Sequence, residues 1–166
     1  MTETAVLHEF CDWLSNTPVS MLIQNAFWVI PTVQTVHIAA IAVVMSSILM
    51  LDLRLLGVVG RTRPVAEVAD RFIPWVWSAV VVLLLSGVLL IIGEPGRELL
   101  SEVFWLKMSL LVCALVLTGV IQHVLRGGGS FWERRRVIAA GAAIASLVLW
   151  TAILASGRWI AYVEHG

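Results

Sequence analysis

The chain has 166 residues, of which 60% are hydrophobic and 13% are charged, and its mean hydropathy is +0.94. Soluble domains carry about 25% charged and about 45–50% apolar residues, so one small globule cannot enclose this much apolar surface and lipid must cover it. The formal net charge of zero offers no basic surface for nucleic acid, which is therefore excluded as a partner.

Residues 4–15 predict a short amphipathic helix. Its apolar residues recur at helical spacing, opposite Glu9 and Asp12, and they are Val6, Leu7, Phe10, Trp13 and Leu14. We expect this helix to lie on the membrane surface with its apolar side in lipid. The first residues lack the basic and apolar segments of a cleavable signal peptide, so none is expected.

Four long apolar stretches follow this surface helix. A membrane-spanning helix takes about 20 apolar residues at a rise of about 1.5 Å each. The stretches predict spans at about 28–56, 74–93, 104–125 and 137–162. The sequence therefore predicts an all-α protein, an integral membrane four-helix bundle that forms a single membrane domain over residues 1–166.

The basic residues are divided unequally between the two sides of the predicted bundle. The first and third connections hold eight of the eleven, namely Arg54, Arg61, Arg63, Arg71, Arg126, Arg134, Arg135 and Arg136. The opposite side holds seven of the eleven acidic residues and only three basic ones, Arg97, Lys107 and Arg158. Because basic residues favour the cytoplasmic side, we expect both termini to face outward.

Several ionisable or polar residues lie within or near the ends of the predicted spans, where such groups are costly and usually serve function or paired structure. Counted from the inner edge at about 1.5 Å per residue, His37 lies roughly 24 Å up, and Glu94, Lys107 and Arg158 lie near 30 Å. Gln34 is one turn from His37 on the same helix face. We expect these five side chains to meet in the outer part of the bundle.

His123 lies near the inner edge, where we expect it close to Asp52 and Arg54. We interpret Asp52 and Arg54 as a structural pair at the end of the first span. His37 and His123 are roughly 20 Å apart in height, so one haem cannot take both as axial ligands. As candidate metal ligands, the two histidines would each serve a different haem.

Three interpretations of these histidines stay open. In the first, His37 and His123 link helices through hydrogen bonds. In the second, they bind haem b, and Lys107 and Arg158 hold the propionates. In the third, the outer polar cluster binds the head group of a quinone or small lipid, with His37 as a hydrogen-bond donor.

Other residues bear on packing and on the kind of protein. Gly141 and Ala145 have the small-xxx-small spacing that lets a neighbouring helix approach closely, and Trp150 lies mid-span, where we expect it to pack inside. Cys11 falls outside the apolar runs and Cys113 inside one, so no disulfide is expected. The common hydrolase motifs are absent from the sequence, so a hydrolytic enzyme is not expected, and whether the protein catalyses another kind of reaction stays open.

A set of motifs over nearly the whole chain resembles one family. The motifs are His37 followed by Asp52–Gly57 (DLRLLG), Ile73–Trp75 (IPW), Ser86–Leu90 (SGVLL), Phe104-x-x-Lys107, Gln122–His123 and Gly157-Arg158-x-x-Ala161-Tyr162. They resemble a family of small bacterial membrane proteins classed as a domain of unknown function. The resemblance implies a four-helix protein of the bacterial inner membrane, and it implies no activity.

The residues favour a membrane redox protein that binds haem b or exchanges electrons with quinone in the outer half of the bundle. His37 is the main candidate contact and His123 the second, with Gln34, Lys107 and Arg158 around the bound group. The alternative is a non-catalytic membrane scaffold or oligomer-forming subunit. Expected partners are the lipid bilayer and either a second copy of the chain or a membrane redox protein.

Overall fold

The computed structural model describes residues 3–59, 64–126 and 135–163, with the backbone alone at 3–4 and 157–163. Within these ranges the chain forms seven helices and no strand. The helices are α1 (Glu3–Ser15), α2 (Pro18–Asn25), α3 (Val29–Leu55), α4 (Val65–Gly93), α5 (Pro95–Leu99), α6 (Glu102–Arg126) and α7 (Arg136–Val163). Four of them, α3, α4, α6 and α7, are long and apolar enough to cross a membrane. The prediction of an all-α four-helix membrane bundle is confirmed.

The four long helices pack as two antiparallel pairs. Helix α3 packs along α4, α6 packs along α7, and the pairs join mainly where α3 meets α7. Helices α4 and α6 touch each other only sparingly. We call this loosely packed side of the bundle, between α4 and α6, the seam.

The two ends of the bundle differ in what surrounds them. The short helices α1, α2 and α5 pack together where α4 ends and α6 begins, and we call this the capped end. At the opposite end, α3 and α6 finish and α4 and α7 begin. We call it the arginine end for its described arginines, which are Arg54, Arg71, Arg126, Arg135 and Arg136.

Helix α2 is held to α4 through the last carbonyl groups of α4, which have no partner within their own helix. Ser20 Oγ donates to Ile92 O at 2.6 Å, and Gln24 Nε2 donates to Gly93 O at 3.1 Å and to Ser20 Oγ at 2.9 Å. The lack of a side chain at Gly93 permits this approach, since a Cβ there would lie 3.1 Å from Ile23 Cγ2. Ser20 is fully buried as a result.

One side of helix α1 packs against the rest of the protein, and another side is exposed. It packs mainly on α5, and Cys11 is buried with its Sγ 3.6 Å from Pro95 O. Val6, Phe10 and Trp13 remain exposed. The predicted apolar side of this helix is therefore divided, and only part of it can contact lipid.

Helix α4 begins at Val65, nine residues before Pro74, where we predicted the second span to begin. The additional turns form because Val65, Ala69 and Ile73 recur at a spacing of four residues and are buried in one apolar cluster. Pro74 therefore lies inside the helix, where it removes one backbone hydrogen bond. The connection between the first two spans is therefore shorter than predicted, because charged residues that indicated a loop belong to α4.

Trp150 packs in the middle of the bundle, as predicted. It is 3% exposed and lies in a buried cluster with Ile48, Val76 and Ala114, which brings together side chains of all four long helices. Its indole N–H has no hydrogen-bond partner among the described residues. A buried donor of this kind is uncommon, because buried polar groups are usually paired.

The contact between α2 and α4 predicts that Ser20→Ala destabilises the fold. The change removes the hydroxyl that bonds to Ile92 O and Gln24 Nε2, while Gln24 keeps its bond to Gly93 O. We therefore expect the free energy of unfolding to fall by about 1–3 kcal/mol. Thermal unfolding in detergent micelles measures the effect. Ser109→Ala is the control, because the exposed Ser109 hydroxyl bonds only to Trp105 O of its own helix. Equal losses in both variants would contradict the role of Ser20.

Candidate functional site

The ring of His37 is fixed to the neighbouring helix by a short hydrogen bond. His37 Nδ1 on α3 lies 2.7 Å from Ser86 Oγ on α4. Ser86 is 4% exposed, whereas His37 is half-buried. The bond therefore joins a partly accessible ring to a buried hydroxyl. His37 lies about 12 Å along α3 from the first residue of the helix, at a rise of about 1.5 Å per residue.

The partners of Ser86 determine which ring nitrogen of His37 carries the proton. Ser86 Oγ also lies 2.7 Å from Val82 O, a carbonyl that can only accept. A hydroxyl has one proton, so both short bonds form together only when Ser86 donates to Val82 and His37 Nδ1–H donates to Ser86. This assignment leaves His37 Nε2 with an open lone pair, which can accept a hydrogen bond or bind a metal.

The surroundings of the ring include a glycine and a cation. A Cβ at Gly87 would lie 3.8 Å from His37 Cε1, so the glycine leaves that edge of the ring uncovered. Lys107 on α6 is half-buried and lies within electrostatic range of His37. His37 and Ser86 join α3 to α4, and Lys107 belongs to α6, the helix across the seam from α4.

The predicted outer cluster is brought together only in part. Lys107 lies within electrostatic range of His37, and Gln34 is half-buried one turn from His37 on α3. Glu94 accepts from Arg97 at 2.8 Å, in an ion pair at the protein surface, and its predicted place beside His37 stays a prediction. The side chain of Arg158 lies outside the described residues, and its predicted role stays a prediction.

His123 is separated from His37, as the counted heights predicted. It lies three residues before the end of α6, at the arginine end, and its side chain is exposed. Its neighbour Gln122 accepts from Trp77 Nε1 at 2.8 Å. His123 therefore faces away from the interior that holds His37.

The predicted pairing of Asp52 with Arg54 is wrong. Asp52 is 1% exposed, and no described residue donates a hydrogen bond to either of its carboxylate oxygens. The carboxylate is buried because α4 and α7 pack against α3 up to its last turn, where Leu55, Val65 and Ala139 belong to one buried cluster. Arg54 is half-buried beside a surface groove at the arginine end. The carboxylate lies inside the bundle and does not mark its edge.

Ser86 is a residue of the candidate site that the sequence reasoning did not identify. A serine within an apolar helix commonly bonds to its own backbone four residues earlier, so its presence alone carries no prediction. The available signal was its height, since Ser86 lies in the second span on the same half of the bundle as His37. A polar residue opposite a membrane histidine is a candidate partner for it.

The hydrogen bond to Ser86 predicts the tautomer of His37. We expect nitrogen NMR of the histidine-labelled protein to show the Nδ1–H form, because Ser86 accepts from that nitrogen. Ser86→Ala removes the acceptor and should give a mixture of tautomers. Ser78→Ala is the matched control, since its exposed hydroxyl makes the same kind of bond to Pro74 O on the same helix. If His37 kept the same tautomer in Ser86→Ala, this assignment would be contradicted.

Comparison with known proteins bears on the whole chain. No curated protein and no solved structure matches it. One family model matches residues 11–163, which include α3, α4, α6 and α7 entire. The predicted resemblance is confirmed. The chain belongs to DUF6644, a family of unknown function.

Proposed function

We propose that the chain is a membrane redox protein that binds the head group of a quinone at His37. The observation that carries the proposal is the hydrogen bond between His37 Nδ1 and Ser86 Oγ, 2.7 Å long. It holds the ring in one orientation and leaves Nε2 as an acceptor in the half of the bundle towards the capped end. Small-molecule sites are commonly lined by apolar groups with a few oriented polar ones of this kind.

The polar groups around His37 suit the chemistry of a quinone. A quinol hydroxyl can donate to His37 Nε2, and the Lys107 ammonium can donate to a quinone carbonyl. When the hydroxyl loses its proton on oxidation, His37 is the base within reach. Lys107 favours the negative charge that a partly reduced ring carries, because opposite charges attract more strongly in an apolar surrounding than in water.

The seam supports the proposal by providing a route from the bilayer. Helices α4 and α6 touch only sparingly, so a lipid-soluble molecule can approach between them without crossing water. Ser86 and Gly87 belong to α4 and Lys107 to α6, on the two sides of this route. Electrons released by a bound quinol would pass to a membrane redox partner.

Haem b is the second candidate, and the same hydrogen bond favours it. A histidine that binds a metal usually donates its other ring N–H to a neighbouring group, as His37 does to Ser86. His37 Nε2 would be an axial ligand and Lys107 could pair with a propionate. His123 cannot be the second ligand, because it is exposed at the arginine end. A quinone site requires no second ligand and is therefore the better fit.

Replacement of His37 provides the test. We expect the protein purified in mild detergent to carry quinone, detected by extraction and mass spectrometry. His37→Ala should reduce quinone per protein about tenfold, the effect of losing one good hydrogen bond of about 1.4 kcal/mol, and Lys107→Met should also reduce it. His123→Ala is the matched control and should leave it unchanged.

An optical spectrum of the same samples separates the two cofactors. A Soret band that is lost in His37→Ala and kept in His123→Ala would favour haem over quinone. A colourless protein without bound quinone would reject the redox function. In that case, a defined oligomer in cross-linked membranes, kept after both histidines are replaced, would favour a scaffold.

We also infer that the protein lies in a bacterial inner membrane with the capped end towards the periplasm. The described arginines of the arginine end support this orientation, because basic residues favour the cytoplasmic side. Both termini would then be periplasmic. His37 would lie in the periplasmic half of the bilayer.

Alkaline phosphatase fusions test the orientation. This enzyme needs disulfides, which form in the periplasm and not in the cytosol. We expect a fusion after Gly166 to be active and a fusion after Val59 to be inactive. Fusion levels measured by immunoblot serve as the control, and the reverse pattern of activity would invert the orientation.

A further inference from the structure

Asp52 is a buried carboxyl group that the redox site does not use. It lies on α3, three residues before the end of the helix, and is 1% exposed. Among the described residues, no donor bonds to either carboxylate oxygen. Buried carboxylates usually accept several hydrogen bonds or pair with a cation, so the lack of both requires an explanation.

The simplest explanation is that the carboxyl carries a proton. An ionised carboxylate without a partner is strongly destabilised in an apolar interior, whereas the neutral acid is tolerated far better. The Ser146 hydroxyl on α7 faces the Asp52 carboxyl without completing a hydrogen bond to it in the described geometry. Ser146 is also buried, at 2% exposure, and can accept from a protonated acid.

A second unpaired polar group lies close to this one. Trp150 is one turn from Ser146 on α7, and Ile48 is one turn from Asp52 on α3. Ile48 and Trp150 pack in the same buried cluster. The unpaired indole N–H and the unpaired carboxyl therefore face the same interior, about one turn apart.

The charged groups described at this end of the bundle do not bond to the Asp52 carboxylate. Those described at the arginine end are Arg54 on α3, Glu67, Asp70 and Arg71 on α4, His123 and Arg126 on α6, and Arg135 and Arg136 on α7. All are exposed except Arg54, which is half-buried. None of these described groups forms an ion pair or hydrogen bond with Asp52, so none neutralises a charge there.

A cavity lies at the same end of the bundle as Asp52. It has a volume of about 550 Å³ and lies between α4 and α6 at the arginine end. Its apolar walls Ala69, Ile73 and Leu125 belong to the same cluster as Leu51, the residue next to Asp52. Its polar walls are Asp70, Gln122, Arg126 and Trp77. The cavity therefore adjoins the apolar cluster that contains the chain neighbour of Asp52, and its polar walls can hold water.

We propose that Asp52 is a proton-binding site inside the membrane bundle. At neutral pH its carboxyl carries a proton, which exchanges with water in the cavity at the arginine end. On release, the carboxyl O–H bond breaks, the proton passes to water and the carboxylate remains, and uptake reverses these changes. The site does not depend on the redox function proposed for His37, which lies fifteen residues away on α3.

Infrared spectroscopy of the full chain in lipid bilayers tests the proposal. A protonated carboxylic acid has a C=O stretch separate from the amide and carboxylate bands. The chain has three aspartates, and Asp12 and Asp70 are exposed. We expect one such band at neutral pH that shifts when aspartate is labelled with carbon-13, and shifts again after transfer to heavy water.

Two variants assign the band to Asp52. Asp52→Asn should remove it and Asp70→Asn should leave it unchanged, with thermal unfolding used to verify that both proteins are folded. Absence of a labelled aspartic acid band in the wild type would overturn the proposal, even if Asp52→Asn failed to fold. A band that did not shift in heavy water would overturn the exchange with the cavity.

Discussion

The lack of hydrogen-bonding partners in lipid is the constraint on which this structure depends. Every polar group within the apolar length of the bundle must find a partner in the chain or carry a cost. The constraint explains why α2 binds the last carbonyls of α4, and why Ser86 is buried beside His37. It also makes Asp52 conspicuous, because the same bundle leaves its carboxyl without a donor among the described residues.

Helix count and type could be predicted from the sequence, because a helix that crosses lipid must be apolar along its length. The bounds of α4 could not be predicted in this way. Proline is a common first residue of a helix, and the charged residues before Pro74 indicate a loop. The buried spacing of Val65, Ala69 and Ile73 outweighs both signals. A proline inside a helix is tolerated where packing compensates for the missing hydrogen bond.

The candidate site was predictable in part, for a physical reason. The height of a residue on its own helix follows from counting, which placed His37 with Lys107 and apart from His123. The direction of a side chain around the bundle depends on how each helix is rotated and tilted, which packing determines. Glu94 therefore pairs with a local partner, Arg97, and Asp52 is interior because α4 and α7 pack against α3 up to its last turn.

The attachment of α2 to α4 has a consequence for biosynthesis. Ser20 and Ile92 are 72 residues apart, and α3 lies between them. The donors leave the ribosome long before their acceptors, so the amino-terminal segment must wait until α3 and α4 have inserted as a hairpin. Its docking then closes a loop around that hairpin. The contact uses no residue after Gly93, so it can form before α6 and α7 are made.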